Sequence, residues 1–241
     1  MTKRRIDLLL VDSGLVESRA KAQALIMMGK VIVGGETITK SGTLVAEDVA
    51  ITLIKPLPFV SRGGRKLDYA INEFHLDVSS WVVADIGAST GGFTDCLLKR
   101  GASRVYAIDV GRGQLDYRLR QDERVVAMDG INARYPISLP EKVRLASIDV
   151  SFISVHKVIP AVKEIVKSGG YLLVLIKPQF EAKRQEVGRR GVIKDPMTHA
   201  RVLGRFIVWV IQQNFRLRGL IASPILGASG NREFLVLVEL T

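Results

Sequence analysis

A glycine-rich turn follows the most strand-like apolar run of the chain, with an aspartate just before it. The segment reads Val83-Ala-Asp-Ile-Gly-Ala-Ser-Thr-Gly-Gly-Phe93. Glycines let the backbone turn tightly and approach a ligand, and a helix that begins there directs free N–H groups toward it. The spacing is Gly-x-x-x-Gly-Gly, unlike the Gly-x-Gly-x-x-Gly turn of nicotinamide dinucleotide enzymes. This difference favours S-adenosylmethionine as the ligand.

Polar residues close four further apolar runs, at Asp109, Asp129, Asp149 and Lys177. The carboxyl ends of parallel strands form the edge where doubly wound α/β proteins bind nucleotide-like ligands. At such an edge Asp109 is suited to accept hydrogen bonds from ribose hydroxyls, and Asp129 is suited to an adenine edge. A single acid could equally cap a helix or solvate a loop, but three at successive strand ends favour a binding role.

The expected cofactor-binding residues are Asp85, Gly87, Ala88, Ser89, Gly91, Gly92, Phe93, Asp109, Val110, Asp129, Gly130 and Asp149.

Strand-like and helix-like segments alternate from residue 81 onward. Strands are expected at 81–85, 104–109, 125–128, 145–149, 171–176, 217–223 and 234–239, with helices at 66–74 and 197–213. Such alternation predicts a mostly parallel α/β sheet with right-handed crossovers. The expected fold class is therefore α/β, with a Rossmann-like sheet preceded by a small α+β domain.

Residues 1–55 form a separate unit in this interpretation. Helices are expected at 6–11 and 18–28, with Ser18 as N-cap and Gly29 as the stop. A Gly34-Gly35 hairpin and a third strand complete a small sheet. Residues 56–65, with two prolines and two glycines, are expected to be a linker before a domain at 66–241.

Basic residues of the first unit suggest RNA binding. The candidates are Arg4, Arg5, Arg19, Lys21 and Lys30. Residues 1–60 hold 8 Lys and Arg against 6 Asp and Glu. Any binding must therefore come from the placement of these charges and not from their total; a merely solvated face is the alternative.

Composition narrows the function classes. The 241 residues are 47% hydrophobic and 24% charged, with a net charge of +11 that favours a polyanionic partner, nucleic acid before membrane. A merely basic soluble enzyme is the alternative. A single cysteine, Cys96, excludes an intrachain disulfide and fits a cytoplasmic location. Neither an export signal nor a run of about 20 apolar residues is recognised. His75, His156 and His199 are scattered, so no metal site is expected.

The N-terminal segments resemble a known RNA-binding module. The similar stretches are Arg5-Ile-Asp-Leu-Leu-Leu-Val11, Ser18-Arg-Ala-Lys-Ala-Gln-Ala-Leu-Ile26 and Gly29-Lys-Val-Ile-Val33. A small-subunit ribosomal protein, pseudouridine synthases and tyrosyl-tRNA synthetases share this module. The resemblance implies that basic residues of the second helix and the following loop contact phosphates, which position RNA without reading its sequence.

The whole chain resembles the TlyA family, which joins that module to a methyltransferase domain of the FtsJ type. The resemblance rests on Ser61-Arg-Gly-Gly-Arg-Lys-Leu67, Asp85-Ile-Gly-Ala-Ser-Thr-Gly-Gly-Phe-Thr94, Asp149-Val-Ser-Phe-Ile-Ser154, Leu175-Ile-Lys-Pro-Gln-Phe-Glu181 and Gly230-Asn-Arg-Glu-Phe234. It implies a 2′-O-methyltransferase that uses S-adenosylmethionine and acts on a ribose of ribosomal RNA. The family's example implies that this ribose belongs to a cytidine.

The resemblance also implies catalytic residues. The family's Lys-Asp-Lys-Glu tetrad falls on Lys66, Asp149, Lys177 and Glu233. Methyl transfer to a hydroxyl is limited by alignment and by a poor nucleophile, so a nearby base is useful. Lys177 is the candidate base, because a second ammonium at Lys66 would favour the loss of a proton from Lys177. Whether Lys177 removes the hydroxyl proton or only positions the oxygen stays open, as does a structural Lys177–Glu233 ion pair.

A basic loop is expected at 180–195, suited to clamping phosphates beside the site, with a solvated loop as the alternative. Together with the linker it adds Arg62, Arg65, Lys183, Arg184, Arg189 and Arg190 to the predicted RNA-binding residues.

Four other functions are alternatives to ribose methylation. A base-amine methyltransferase would carry an Asn/Asp-Pro-Pro-aromatic turn where this chain has Asp149-Val-Ser-Phe152, and a cytosine-carbon methyltransferase would need a cysteine better placed than Cys96. An RNA-binding or ribosome-assembly protein without turnover would not need the intact tetrad. A membrane-lytic protein is considered because relatives carry the name haemolysin.

Overall fold

The computed structural model describes residues 2–54, 58–188 and 191–241. Contacts divide the chain into two compact units, Met1–Leu57 and Pro58–Thr241.

The described residues of the first unit, 2–54, form two helices and two small sheets. Its elements are β1 (Lys3–Arg5), α1 (Ile6–Asp12), α2 (Arg19–Met27), β2 (Val31–Val33), β3 (Glu36–Ile38), β4 (Leu44–Ala46) and β5 (Ile51–Leu53). The strands β3, β2 and β5 form an antiparallel sheet, and β1 pairs with β4. As predicted, Ser18 caps α2, where its side chain accepts a hydrogen bond from the Lys21 N–H. The sequence did not indicate β1 or β4.

The second unit contains a seven-stranded sheet and six helices among its described residues. They are α3 (Gly63–Glu73), β6 (Val82–Ile86), α4 (Gly92–Lys99), β7 (Arg104–Asp109), α5 (Tyr117–Arg120), β8 (Val125–Asp129), β9 (Val143–Ile148), α6 (Ile159–Val162), β10 (Val166–Ile176), α7 (Pro178–Glu181), α8 (Pro196–Gln212), β11 (Phe215–Ala222) and β12 (Phe234–Leu240). Three-residue 3-10 turns lie at Val155–Lys157, Lys163–Ile165 and Arg184–Glu186.

The sheet order explains where a ligand can bind. The order is β11-β12-β10-β9-β6-β7-β8, and the five strands from β10 to β8 are parallel while β12 is antiparallel to both neighbours. The chain leaves β6 toward β7 on one side and returns to β9 on the other. Open α/β sheets bind ligands outside the carboxyl ends of strands at such a switch point. The predicted α/β sheet is thus confirmed.

Alternate strand residues face two separate cores, which makes three layers. One core includes Ile86 and Ile148 with Phe206 of α8. The other includes Val83 and Leu145 with the buried residues of α3 and α4. Because both sheet faces are covered, the carboxyl edge of the parallel strands is the part of the sheet left available for chemistry.

Part of the predicted linker belongs to the second unit. Helix α3 begins at Gly63, three residues earlier than expected. Phe59 is buried, and the Val60 N–H donates to the Asp95 carboxylate at 2.8 Å. A side chain at Gly92 would collide with the Ser61 hydroxyl, so this segment rests directly on the start of α4. Residues 55–57 lie outside the described part of the chain.

Candidate active site

The glycine turn joins β6 to α4 and sits against the loop after β9. Gly87 has φ +83°, and a Cβ there would lie 2.4 Å from the Asp149 carbonyl oxygen. Only glycine therefore allows this approach. Gly91 has φ +93° and precedes the first turn of α4. The turn brings the N-terminus of α4 to the carboxyl edge of the sheet.

A cavity of about 380 Å³ opens on the β7 side of this turn. Asp109 and Val110, at the end of β7, line it together with a segment after β8 that includes Ile131 and Asn132. The two Asp109 carboxylate oxygens accept the Ser89 N–H at 2.8 Å and the Gly111 N–H at 2.7 Å. Each oxygen keeps a lone pair for a further donor. A carboxylate beside apolar walls is suited to a nucleoside.

A second cavity of about 470 Å³ lies on the β10 side of the turn. It is lined by the turn residues Gly87, Ala88, Ser89, Thr90, Gly92 and Phe93 and by all four residues of the predicted tetrad, Lys66, Asp149, Lys177 and Glu233. Gly87, Ser89, Asp149, Ser151 and Phe152 line both cavities. The two spaces are therefore adjacent, and the tetrad occupies one of them.

Lys177 and Asp149 form one of two ion pairs in the larger cavity. Each residue directly follows a parallel strand, β10 and β9 respectively, and these strands are neighbours in the sheet. Lys177 Nζ lies 2.5 Å from Asp149 Oδ1 and donates a hydrogen bond to Ser151 Oγ at 2.9 Å. The ammonium is mostly buried, at 9% exposure for the residue. The contact was predictable because parallel strand ends share an edge.

Lys66 and Glu233 form the other ion pair. Lys66 lies in α3, and Glu233 directly precedes β12, whose antiparallel direction brings its start to the active edge. Lys66 Nζ donates to Glu233 Oε2 at 2.6 Å, and both side chains are buried. The alternative pairing of Lys177 with Glu233 is therefore not observed. Each lysine has its own carboxylate.

Two buried oxygen atoms in the cavity have no aligned hydrogen-bond donor among the described residues. They are Asp149 Oδ1 and Gln179 Oε1. Lys177 lies within ion-pair distance of Asp149 Oδ1, but its hydrogen bond goes to Ser151. Gln179 Oε1 is therefore the unsatisfied acceptor, which is costly when buried and is suited to a hydrogen bond from a ligand, whereas Asp149 Oδ1 contacts the Lys177 ammonium and keeps a lone pair for a further donor.

Several cavity residues were not predicted from the sequence. Phe152 is 92% exposed, has φ +63° and contacts the Phe180 ring with centroids 5.2 Å apart. Ser151 and Gln179 also line the cavity, as do Ile225, Leu226, Ala228 and Ser229. Ser151, Phe152, Gln179 and Phe180 lie within two of the quoted sequence motifs. A signal was thus present, but only for residues beside Asp149 and Lys177.

Asp85 requires a correction, because it is fully buried and lines neither cavity. It accepts hydrogen bonds from Thr94 Oγ1 at 2.7 Å and from Ser147 Oγ at 3.2 Å. Burial raises the pKa of the Asp85 carboxyl to about 7, and the charge of Asp149 adds to the increase. Asp85 therefore supports the glycine turn from below instead of contacting a ligand.

Three other predicted cofactor residues do not line either cavity, although Gly91 lies between Thr90 and Gly92, which line the larger one. Asp129 accepts the Gly113 N–H at 3.1 Å and pairs with Arg120, and these contacts hold the pKa of its carboxyl below the ordinary value. Gly91 is covered by the side chains of α5 and the residues before it, and Gly130 faces a guanidinium. These residues shape the loops around the smaller cavity.

In the first unit, four of the five predicted RNA-binding cations are engaged in ion pairs. Arg4 pairs with Asp12 and Glu47, Arg5 and Arg19 with Asp7, and Lys21 with Glu17. Asp7 is fully buried and also accepts from Gln23 at 3.1 Å. Arg5, followed by the other partners, holds the pKa of Asp7 far below its usual range. Arg5 and Arg19 remain about half exposed, so Asp7 fixes their direction without removing them from solvent.

In the second unit, the predicted RNA-binding residues surround the larger cavity only in part. Arg62 lines the cavity, and Arg65, Lys183 and Arg184 are exposed. Arg189 and Arg190 lie outside the described residues. The turn Arg184–Glu186 is connected to α8 through Glu186, whose carboxylate accepts hydrogen bonds from Arg201 and Arg205. The Lys183 N–H and then Arg205 lower the pKa of Glu186 to about 2.

The described ranges 2–54, 58–188 and 191–241 lack the features of two other functions, metal binding and membrane spanning. They contain no cluster of three or more His, Cys, Asp or Glu side chains able to hold a metal ion. Their helices include none with the length and hydropathy needed to cross a membrane. Cys96 is buried in α4, and burial raises the pKa of its thiol.

Comparisons with known proteins agree with this geometry. Residues 59–240 match the FtsJ-like methyltransferase family, and residues 4–51 match the S4 domain. The chain is 40% identical over 236 residues to a Mycobacterium tuberculosis protein named 16S/23S rRNA (cytidine-2′-O)-methyltransferase TlyA, covering 96% of this chain and 88% of that protein. It is 41% identical over 234 residues to Hemolysin A of Brachyspira hyodysenteriae, covering 96% and 98% respectively.

Solved structures give the same result. A hemolysin-named protein of Streptococcus thermophilus is 42% identical with a TM-score of 0.77, covering 100% of this chain and 90% of that one. An S-adenosylmethionine dependent methyltransferase from Mesorhizobium loti aligns with a TM-score of 0.54 at 15% identity, covering 71% of this chain and 96% of that one. At that identity the second match shows only a shared fold. The chain is therefore a methyltransferase of the FtsJ-like family, in the TlyA-like group that also carries an S4 domain.

Proposed function

We propose that this protein transfers a methyl group from S-adenosylmethionine to a ribose 2′-hydroxyl of ribosomal RNA, a cytidine ribose by analogy with the M. tuberculosis relative. The observation that carries the proposal is the larger cavity, where two lysine–carboxylate pairs lie beside a glycine turn. The RNA substrate is inferred from the S4 domain and from the names of the relatives.

The residues of the smaller cavity are suited to the nucleoside part of the cofactor. Asp109 offers acceptor lone pairs for ribose hydroxyls, and Val110 and Ile131 offer apolar surface for a purine. Ser89 and the glycine turn reach from this cavity to the tetrad, so the methionine part would lie along the turn. When bound, S-adenosylmethionine supplies a methyl group already activated by a cationic sulfur.

Asp149 and Lys177 would hold the acceptor hydroxyl. Asp149 Oδ1 is a buried carboxylate oxygen with no aligned donor, so it can accept a hydrogen bond from the 2′-hydroxyl. The Lys177 ammonium beside it can donate to the same oxygen and offset negative charge that develops during attack. In this arrangement the hydroxyl proton would pass to the Asp149 carboxylate as the oxygen is methylated, and Lys177 would position the nucleophile. Alignment of this kind contributes roughly 7–11 kcal/mol in the best intramolecular cases.

Lys66 and Glu233 would complete the wall of the site. Their pair closes the side of the cavity formed by α3 and the start of β12. A buried pair is weak evidence for stability alone, because desolvation offsets much of the attraction. A pair retained at the cavity wall is better explained by a role in orienting the substrate or the neighbouring ion pair.

The two units would have separate roles, RNA binding for the first and methyl transfer for the second. The first, predicted as an RNA-binding domain over 1–55, presents Arg5 and Arg19 fixed by Asp7, and these guanidiniums are suited to phosphates. The second, predicted as a methyltransferase domain over 66–241, is extended here to start at residue 58 because Phe59 and Val60 are anchored in it. Arg62, Lys183 and Arg184 would contact RNA near the cavity.

The proposal is tested with purified protein, ribosomal RNA or ribosomal subunits, and methyl-labelled S-adenosylmethionine. We expect label on a ribose, mapped by mass spectrometry of nuclease fragments, and saturable cofactor binding by calorimetry. Label on a base would contradict the ribose assignment. Cofactor binding without transfer to any ribosomal RNA would favour an RNA-binding or ribosome-assembly role, and dye release from liposomes with no transfer would favour a lytic one.

A further inference from the structure

Glu181 joins the two loops that carry the catalytic ion pair. It is the last residue of α7, four positions after Lys177, and its side chain is only 3% exposed. Its Oε1 accepts the Val155 N–H at 2.8 Å, and its Oε2 accepts Ser154 Oγ at 2.6 Å. Both donors lie in the loop that follows Asp149. The two loops are therefore bound to each other a few residues beyond the reacting groups.

The loop after Asp149 contains a strained residue that needs such support. Phe152 has φ +63°, a left-handed conformation that is unfavourable for an aromatic residue and persists only where the surroundings enforce it. Its ring is 92% exposed, so burial of the ring does not supply that enforcement. Ser154 and Val155 lie two and three positions after Phe152, and both are held by Glu181.

The Oε2 atom of Glu181 also contacts His156, the residue after Val155. His156 Nδ1 lies 3.1 Å from Glu181 Oε2 and 3.0 Å from Ser154 Oγ. The imidazole also packs edge-on against Trp209 of α8, with centroids 4.8 Å apart. Glu181 is thus fixed against the body of the domain as well as to the loop, and motion of either loop would break several contacts at once.

We propose that Glu181 is a positioning residue. It holds the 149–155 loop at a fixed distance from Lys177, so that Asp149 and Lys177 can contact the same acceptor hydroxyl. This inference rests on the proposed function. Glu181 lines neither cavity, so it acts through Ser154 and Val155 and not on the substrate. A displacement of about 1 Å between reacting groups can lower a rate by up to about 10²-fold, which sets the expected size of the effect.

The test compares Glu181→Ala with Glu181→Gln. Alanine removes both loop contacts. Glutamine keeps an oxygen for the Val155 N–H, and its amide N–H groups can donate to Ser154 Oγ and to His156 Nδ1 in the tautomer that leaves Nδ1 unprotonated. With ribosomal RNA that the wild type methylates, we expect Glu181→Ala to lower the single-turnover rate about 10- to 100-fold. We expect cofactor and RNA affinities to stay within about threefold, and Glu181→Gln to restore most of the rate.

Glu141→Ala is the matched control. Glu141 also accepts two side-chain hydrogen bonds, from Arg104 at 2.8 Å and Tyr106 at 3.1 Å, but it precedes β9 at the opposite edge of the sheet. We expect it to change stability without changing the rate. An equal rate loss in both alanine variants, or a Glu181→Gln variant as slow as Glu181→Ala, would overturn the proposal.

Ser154→Ala provides an independent variant if Glu181→Ala does not fold. It removes one of the two contacts from the other loop, so the rate should fall while both affinities hold; an unchanged rate would overturn the proposal. If both variants fold, combining them should cost less than the sum of the single effects, because the two residues share one contact. A wild-type protein without methyl transfer would instead contradict the proposed function, which keeps the two failures distinct.

Discussion

Lys66 and Glu233 are 167 positions apart in the sequence, yet Lys66 Nζ and Glu233 Oε2 meet at 2.6 Å in a buried ion pair at the wall of the larger cavity. The pair joins α3 to the start of the antiparallel strand β12. The Lys177–Asp149 pair lines the same cavity, so the site contains two separate charge pairs and not one shared network of four charges.

Breaking this pair should destabilise the protein. Lys66→Met leaves Glu233 buried without its cation, and removal of one partner of a buried pair costs about 3–5 kcal/mol. Replacing both, with Lys66→Met and Glu233→Leu, removes the uncompensated charge and should recover most of that loss. Urea unfolding measures the stability, and methyl transfer is measured in parallel. Recovery of stability together with full activity would contradict a functional role for the pair.

Asp85→Asn should change how stability depends on pH. The folded-state pKa of Asp85 is about 7, whereas an unfolded aspartate has a pKa of about 4. Between these values the folded protein keeps a proton that the unfolded chain has lost, so stability falls as pH rises. The slope is up to about 1.4 kcal/mol per pH unit. Asparagine cannot ionise. The stability of the variant relative to the wild type should therefore rise from pH 5 to 7 and stay constant above pH 7.

Unfolding free energies at pH 5, 6, 7 and 8 check this prediction. Subtracting the variant from the wild type removes the contributions of the histidines and other acids, provided that those groups keep their surroundings. A difference that does not vary with pH would show that Asp85 is ionised throughout the range.

Phe152→Ala should weaken RNA binding more than cofactor binding. An exposed ring held by a strained backbone beside the cavity is a stacking surface for a base, and such stacking contributes about 1–3 kcal/mol per base. Tyr117 is 74% exposed in α5 and lines neither cavity, so Tyr117→Ala is the control. Equal KM values for RNA in the two variants would remove Phe152 from the substrate site.

Lys183→Gln with Arg184→Gln should reduce the salt dependence of RNA binding. Each phosphate contact on single-stranded RNA contributes about 0.7 to the slope of log affinity against log salt. The double variant should therefore lose about 1 to 1.5 from the slope. Lys163→Gln with Lys167→Gln, near the start of β10 and away from the cavities, should leave it unchanged. The same slope in both double variants would show that residues 183 and 184 are solvated and do not contact RNA phosphates.

The sequence predicted the sheet and the strand-end residues because parallel strands have simple rules. Apolar runs set the strands, and a polar residue after a parallel strand lies at the ligand edge, which brought Asp109, Asp149 and Lys177 to the cavities. The same rule was wrong for Asp85, because that side chain points under the turn and not out of the edge. The rule also failed for Asp129, which ends β8 as Asp109 ends β7 but is held by the Gly113 N–H and Arg120 and lines neither cavity.

The irregular parts of the site were less predictable. Which lysine pairs with which carboxylate depends on where α3 crosses the sheet, and the resemblance named the four residues without pairing them. Phe152 lies in a loop, and Gln179 and Glu181 lie in the four-residue helix α7; the course of both segments is set by tertiary contacts and not by a hydrophobic period. The pairing of β1 with β4 was missed for a similar reason, since three-residue strands carry almost no periodic signal.

The most direct test of the central claim is the single-turnover rate of ribose methylation by Lys177→Met, compared with the wild type and with Lys167→Met on the same strand. The Lys177–Asp149 account predicts that Lys177→Met loses at least about 10²-fold in rate while cofactor affinity is retained, and that Lys167→Met matches the wild type. A Lys177→Met protein that methylates ribose at the wild-type rate would contradict the account.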